Sequence, residues 1–232
     1  MLTNANRLIN KLDELYLFVS QYAIDVICVT ETWLSADIPD SVCDLSGYSL
    51  FRRDRVERTG GGVICYVRSS INSRLLDSPI TNLEGFEVLW VAVRPKILPR
   101  PMSTIIVSVV YCPPWYDVAL KRSLSNYVVS CIDFFTRTYN NAGFLINGDF
   151  NSLDTSCFSR RLRFKQLVKG CTRGSKILDK VFTNFADRYV ESEILPPLGK
   201  SDHNCVLIKP SSTPRNAVGK KIVNRRVFSV LV

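Results

Sequence analysis

Two β-branched, apolar runs stand almost back to back in the middle of the chain. FEVLWVAVRP (86–95) and TIIVSVVYCPP (104–114) are separated by a proline-containing turn. Runs of this composition, so closely spaced, pair as an antiparallel hairpin. A parallel pair would need a longer crossover, so the chain departs from strict βαβ alternation.

The flanking segments add helices and further strands. NRLINKLDELYLFVSQY places Leu8, Leu12, Leu15 and Val19 three or four apart, the spacing of one buried helix stripe. DVICVTE is the short apolar run of a strand buried on both faces. After a loop through Pro39, Gly47 and Tyr48, the glycines at 60–62 punctuate the chain, and GVICYVRSSI reads as another strand. Asp117 to Tyr139 has helical periodicity through Leu120, Leu124, Val128, Cys131 and Phe135. GFLING (143–148) is a strand that ends at Asp149, and a short basic helix precedes the strands KILDKVFT, YVESEIL and NCVLIK. Two adjacent strand pairs among mixed strands and helices predict an α/β (α+β) fold of two packed mixed sheets with helices outside.

Length and charge bound the partners. A chain of 232 residues, 46% hydrophobic and 22% charged, fits one large globular domain. No apolar run approaches the ~18 residues of a membrane span, and the N-terminus has no basic head followed by an apolar segment. Neither a membrane partner nor secretion is therefore expected. The eight cysteines are scattered, without a CxxC pair and with a single histidine to share a zinc site, which predicts reduced thiols in a cytoplasmic or nuclear protein. The net charge of +9 invites a polyanion. Six Lys or Arg and no acid lie from Lys209 onward, in a linker-like tail. Residues 160–180 hold eight Lys or Arg against Asp179 alone. Arg160, Arg161 and Arg163 there are either phosphate contacts or a solvated basic face.

Three acids share one context. Glu31 ends DVICVTE, Asp149 follows FLING, and Asp202 precedes His203 at the head of NCVLI. His203 is the sole histidine. An isolated acid at a strand end is most often a turn residue or cap. Together, acids just beyond strands reach a cleft while their backbones stay anchored, and an imidazole beside them handles protons near neutral pH.

The phrases TNANRLINKLDEL, ICVTETWL, GYSLFRRDR, GGGVICYV, INGDFN, CTRGSKILDKVFTN and SDH, spread over residues 3–209, resemble the endonuclease/exonuclease/phosphatase (DNase I-like) superfamily. The similarity is closest to the endonuclease domains of LINE-type non-LTR retrotransposons. It implies a four-layer αββα sandwich and a phosphodiesterase dependent on Mg²⁺ or Mn²⁺, acting on DNA in the nucleus, with no stable protein partner. By that resemblance Glu31 is the main metal ligand, supported by Asn4, with Asp202 in the metal environment. Asp149 positions or deprotonates the attacking water, and Asn151 and Tyr111 hold substrate phosphate. Asp179 orients His203, which acts as base or phosphate stabiliser, and Ser201 contacts the substrate backbone.

Only Met1, Leu2 and Thr3 precede Asn4, so the first strand of that fold is expected to be missing. The expected division is an N-terminally truncated domain at 1–209 and a basic tail at 210–232, leading in a full-length element to a reverse transcriptase. Nicking of target DNA for retrotransposition is the function implied. The alternatives are a phosphatase of the same superfamily, since fold does not fix substrate, and a degenerate domain, inactivated by truncation, that binds nucleic acid through charge.

Overall fold

The computed structural model describes residues 1–56, 58–82 and 84–211. Most of the basic tail therefore lies outside the described residues. In chain order the elements are β1 (Leu2–Asn4), α1 (Leu12–Tyr22), β2 (Val26–Thr30), β3 (Tyr48–Arg53), β4 (Val63–Arg68), β5 (Asn72–Leu75), β6 (Glu87–Arg94) and β7 (Ile105–Tyr111). Then follow α2 (Val118–Thr138), β8 (Gly143–Asp149), α3 (Ser156–Arg160), β9 (Lys165–Gln166), β10 (Asp179–Thr183), β11 (Glu193–Pro197) and β12 (Asn204–Leu207).

These strands form two six-stranded mixed sheets, ordered β11-β12-β1-β2-β4-β3 and β5-β6-β7-β8-β10-β9. The predicted hairpin is β6–β7, antiparallel from Glu87↔Tyr111 to Val93↔Ile105. Its side chains alternate as the pleat requires. Leu89, Val91 and Val93 enter the layer between the sheets, where they join Leu2, Cys28, Cys65, Val107, Val109 and Val181. Val88, Trp90 and Ala92 face the opposite way and pack with Leu124, Val128 and Phe135 of α2. The other outer layer holds Leu8, Leu15 and Val19 against Ile27, Val29, Ile64 and Tyr66. The order helix, sheet, sheet, helix is the expected four-layer sandwich.

Three expectations are corrected. The first strand is present, although only three residues long. Leu2 of β1 pairs with Cys28 on one side and Val206 on the other, so β1 sits in the middle of its sheet. Three residues suffice because both neighbours supply ladder partners and Leu2 fills the inter-sheet core. GVICYVRSSI (62–71) is strand only over β4: the chain turns at Ser69–Ser70 and crosses to β5 in the other sheet. The short basic helix before KILDKVFT is confined to α3, which ends at Arg160; the rest of the basic run is loop, the two-residue β9 and the first two residues of β10. Thr172 draws this loop against the first sheet, its carbonyl accepting Asn204 N–H at 2.7 Å. Helical hydrogen bonding is thereby replaced by contacts that position β10 and β12.

The eight cysteines are free thiols, six of them buried. No helix of the described residues is long and apolar enough to cross a membrane.

Candidate active site

Strand registers bring the chemistry to one end of the sandwich. In the second sheet Glu87 lies opposite Tyr111, Tyr111 opposite Asp149, and Asp149 opposite Asp179, a row across four strand ends. In the first sheet Asn4 ends β1 beside Thr30, Glu31 follows Thr30, and His203 immediately precedes β12. Side chains from the two rows meet across the inter-sheet gap.

Asn4 is one such link: its Nδ2 donates to Glu31 Oε1 at 2.9 Å and to Asp149 Oδ2 at 3.0 Å. Tyr111 Oη donates to the same Glu31 oxygen at 3.0 Å. Asp149 also receives the Asn151 backbone N–H at 3.0 Å and Asn151 Nδ2 at 3.1 Å. The second link is His203 Nδ1 with Asp179 Oδ2, at 2.7 Å. Ser201 Oγ donates to the Asn4 carbonyl at 2.7 Å and accepts from His203 N–H at 3.2 Å, so it fastens the β1 end to the histidine loop. Asn4, Asp149, Asp179, Ser201 and His203 are all buried.

Local backbone explains the motifs around these groups. Gly148 precedes Asp149 because a Cβ there would stand 1.9 Å from the Val110 carbonyl oxygen of the neighbouring strand. Glu31 and Trp33 have φ of +52° and +58°, a conformation costing an L-residue on the order of 1–2 kcal/mol. The glycine loop offsets that cost: Gly61 and Gly62 carbonyls accept Trp33 and Thr32 N–H, and Arg7 N–H reaches the Glu31 carbonyl. A β-carbon on Gly62 would lie 2.5 Å from Thr32 Oγ1, so the close approach requires glycine.

Burial and neighbouring charge set the protonation. Desolvation first, then the charge of Asp179, push the Asp149 carboxyl up to about 7, against the opposing pull of His203, Asn151 and Asn4. Burial disfavours the His203 cation, but the hydrogen bond and charge of Asp179, with Asp149 and Asp202, outweigh it and raise the imidazole above its usual value. Burial, then Glu31, raise the Tyr111 phenol, which is therefore a neutral donor. Near neutral pH Asp149 is therefore part-protonated, beside an imidazole whose cation the neighbouring carboxylates favour.

The remaining predicted residues divide. Asp202 is half exposed and pairs with Arg173 at 2.5 Å; it lies outside the Asp149–Asp179–His203 group. Arg160, Arg161 and Arg163 are exposed, and Arg161 is tied to Asp133 of α2 at 2.6 Å. Sequence reading missed three contributors. Trp33 Nε1 approaches Glu31 Oε2 at 3.4 Å. Thr172 Oγ1 accepts the N–H groups of Leu178 and Asp179 at 3.0 and 3.1 Å, which sets the start of β10. Buried Glu87 accepts Arg55 Nε at 2.8 Å and the Gly62 N–H, tying the glycine loop to the second sheet. The threonine and tryptophan stand inside the quoted phrases CTRG and ETWL; the Arg55–Glu87 pair had no local signal.

The donor set suits a divalent cation. Asp149, Asp179 and His203 each offer a ligand atom within 4.8 Å of the others. Asp179 Oδ1 is buried with no hydrogen-bond partner among the described residues. Glu31 accepts neutral donors and has no cation within ion-pair distance among those residues. A hard ion bound by carboxylate oxygens would balance that charge.

No family model matches the sequence, and no curated protein matches it. Solved structures do. The endonuclease domain of TRAS1, a telomere-specific non-LTR retrotransposon, superposes with a TM-score of 0.64 at 13% identity, over 90% of this chain and 96% of that one. The AP endonuclease LMAP from Leishmania major gives 0.69 at 17%, over 88% and 85%. The 3′-5′ exonuclease NExo from Neisseria meningitidis gives 0.68 at 15%, over 90% and 98%. Two six-stranded sheets under outer helices, with acids and a histidine at one end, thus have the fold of the endonuclease/exonuclease/phosphatase (DNase I-like) proteins.

Proposed function

We propose that this chain is a divalent-metal-dependent phosphodiesterase that nicks DNA, with retrotransposon target cleavage as its setting. The observation that carries the reading is the convergence of Asn4, Glu31, Asp149, Asp179 and His203, from five separated segments of both sheets, on one buried polar cluster. In this reading Asp149, poised near neutrality, takes the proton of the attacking water. Asn4 and Asn151 fix its carboxylate for that task. With Nδ1 engaged by Asp179, His203 offers Nε2 to a phosphoryl oxygen as charge develops there. Glu31 would be the main metal ligand, leaving His203 Nε2 for the phosphate and Asp149 for the water, and Mg²⁺ or Mn²⁺, when bound, would neutralise phosphoryl charge.

A supercoiled plasmid tests the proposal: relaxation with Mg²⁺, abolished by EDTA, is expected. Intact plasmid under both conditions, from folded protein that still binds DNA in a salt-sensitive manner, would identify a binding module instead. The reading as a phosphatase draws support from a neighbouring structure described as a 3′ phosphatase, NExo from Neisseria bound to product DNA hairpin. Release of phosphate from a 3′-phosphorylated oligonucleotide, with plasmid untouched, would favour it.

Glu31→Gln keeps the oxygen that Asn4 and Tyr111 address and removes the charge, together with the long Trp33 contact to the other oxygen. Turnover should fall by about 10²–10³ and half-saturation by Mg²⁺ should move to higher concentration, with the melting temperature nearly unchanged. Parallel loss of folding and turnover would make Glu31 structural.

Arg160 and Arg163 are exposed and take part in no ion pair among the described residues, whereas Arg161 is engaged. Neutralising Arg160 and Arg163 together should reduce the slope of log K against log salt by about 2 if each contacts a phosphate. An unchanged slope would return them to a solvated face.

A further inference from the structure

A second cationic feature lies at the opposite end of β6 from the candidate active site. Asn72, Arg74, Ala92, Arg94, Thr104 and Tyr139 line a cavity of about 290 Å³. β6 begins at Glu87, beside Tyr111, and ends at Arg94, so the cavity lies roughly 20 Å along the strand from the catalytic row.

Register explains how two guanidinium groups come to share it. Asn72 stands opposite Arg94 and Arg74 opposite Ala92, which makes Arg74 and Arg94 diagonal neighbours on one face of the β5–β6 pair. Diagonal side chains of this length reach each other, and like charges so placed repel. The small Ala92 between them leaves the space open. No carboxylate lines the cavity, and neither arginine has an ion-pair partner among the described residues. Two single bonds anchor the groups without neutralising them. Arg74 Nη2 donates to Tyr139 Oη at 2.7 Å, with the guanidinium 5.8 Å from that ring's centroid, and Arg94 Nε donates to the Ser103 carbonyl at 3.1 Å. Both Nη groups of Arg94, the remaining N–H groups of Arg74 and the Tyr139 hydroxyl proton are left as donors. The Asn72 amide adds two more.

We propose that this cavity is an anion site for a phosphate group, distinct from the catalytic centre. The convergence of two unneutralised arginines, a tyrosine hydroxyl and an amide matches the several acceptor oxygens of a phosphate, which guanidinium groups address with paired hydrogen bonds. The volume is near the lower bound of small-ligand sites, roughly 300 Å³, and so admits a phosphate with room for water or the atoms that carry it. The group is either free phosphate or the terminal phosphate of a nucleotide chain.

Titration calorimetry on the full chain tests this, in EDTA so that hydrolysis is idle, with three probes: inorganic phosphate, a 5′-phosphorylated trinucleotide and the same trinucleotide without phosphate. Saturable binding of the first two is expected, weakened about tenfold or more by Arg74→Gln and by Arg94→Gln, and unchanged by His203→Ala. Tighter binding of the phosphorylated trinucleotide than of inorganic phosphate would identify nucleic-acid ends as the source, and equal affinity would identify free phosphate. Arg74 is exposed on an edge strand, so its glutamine variant should fold even where Arg94→Gln loosens the Ser103 turn; Arg94→Lys restores charge there. Affinity unchanged in both glutamine variants, no saturable binding, or loss of binding in His203→Ala alone would overturn the proposal.

Discussion

Asp149→Asn should lower turnover by about three orders of magnitude while raising the melting temperature of the metal-free protein at pH 8. Both effects have one origin. The carboxyl is fully buried beside Asp179 and is held up at about 7, so at neutral pH it is an efficient proton acceptor and a costly charge. An unfolded chain releases that proton near 4. Between about pH 4 and 7 the folded state therefore keeps a proton that the unfolded state has lost, and raising the pH removes stability. His203 acts in the same direction. Its folded value lies above 6.5, so its contribution is complete below 6.5 and is lost as pH rises through the folded value. In EDTA the wild-type melting temperature should accordingly fall from pH 5 to pH 8. Asparagine at 149 keeps the shape and removes that carboxyl's share, on the order of a few kcal/mol, which exceeds the ~1 kcal/mol of the one accepted hydrogen bond it loses and leaves a gain of about 5 °C or more in a domain of this size. Melting curves at pH 5 and 8 for the two proteins check it. Equal slopes with pH would show that Asp149 does not hold the proton retained on folding, and turnover near wild type would remove it as the base.

His203→Ala should cost turnover about a thousandfold, and Asp179→Asn a comparable amount, because the two side chains form one unit across the sheets. The double variant should be no slower than His203→Ala alone. Stability gives an independent reading of the same pair. Alanine at 203 strands the Asp179 carboxylate, whose Oδ1 already lacks a partner among the described residues, and a buried charge left alone costs about 3 kcal/mol or more. Asp179→Asn in that background removes the stranded charge, so the double variant should melt above the single one. Multiplying rate losses, or a double variant less stable than either single, would show that the residues act separately.

Much of this architecture was legible in the residues, and the misses have physical causes. The β6–β7 hairpin, α1, α2 and β8 announced themselves because long apolar segments carry their period openly. β3, β5 and β9 did not. YSLFRR and NSRL are polar and lie at sheet edges, where one neighbour suffices and the apolar signal is weak, and β9 is two residues long. β1 escaped notice because its three residues are strand only by virtue of β2 and β12 on either side. The short basic helix expected before KILDKVFT shrinks to α3, because Thr172 directs its hydrogen bonds to Asp179 and Asn204 and holds the following residues as a loop.

The sequence alone determined which residue types stand at strand ends: Glu31 after an apolar run, Asp149 after another, His203 at the head of a third. Those are local properties, set by where hydrophobic alternation stops. Which ends meet was decided only by the tertiary structure. Asn4 reaches Asp149 across 145 residues of chain, and Asp179 reaches His203 from the other sheet. The raised protonation of Asp149 belongs to that level too, because it arises from water excluded by two sheets packed face to face and from a neighbouring charge supplied by a different strand.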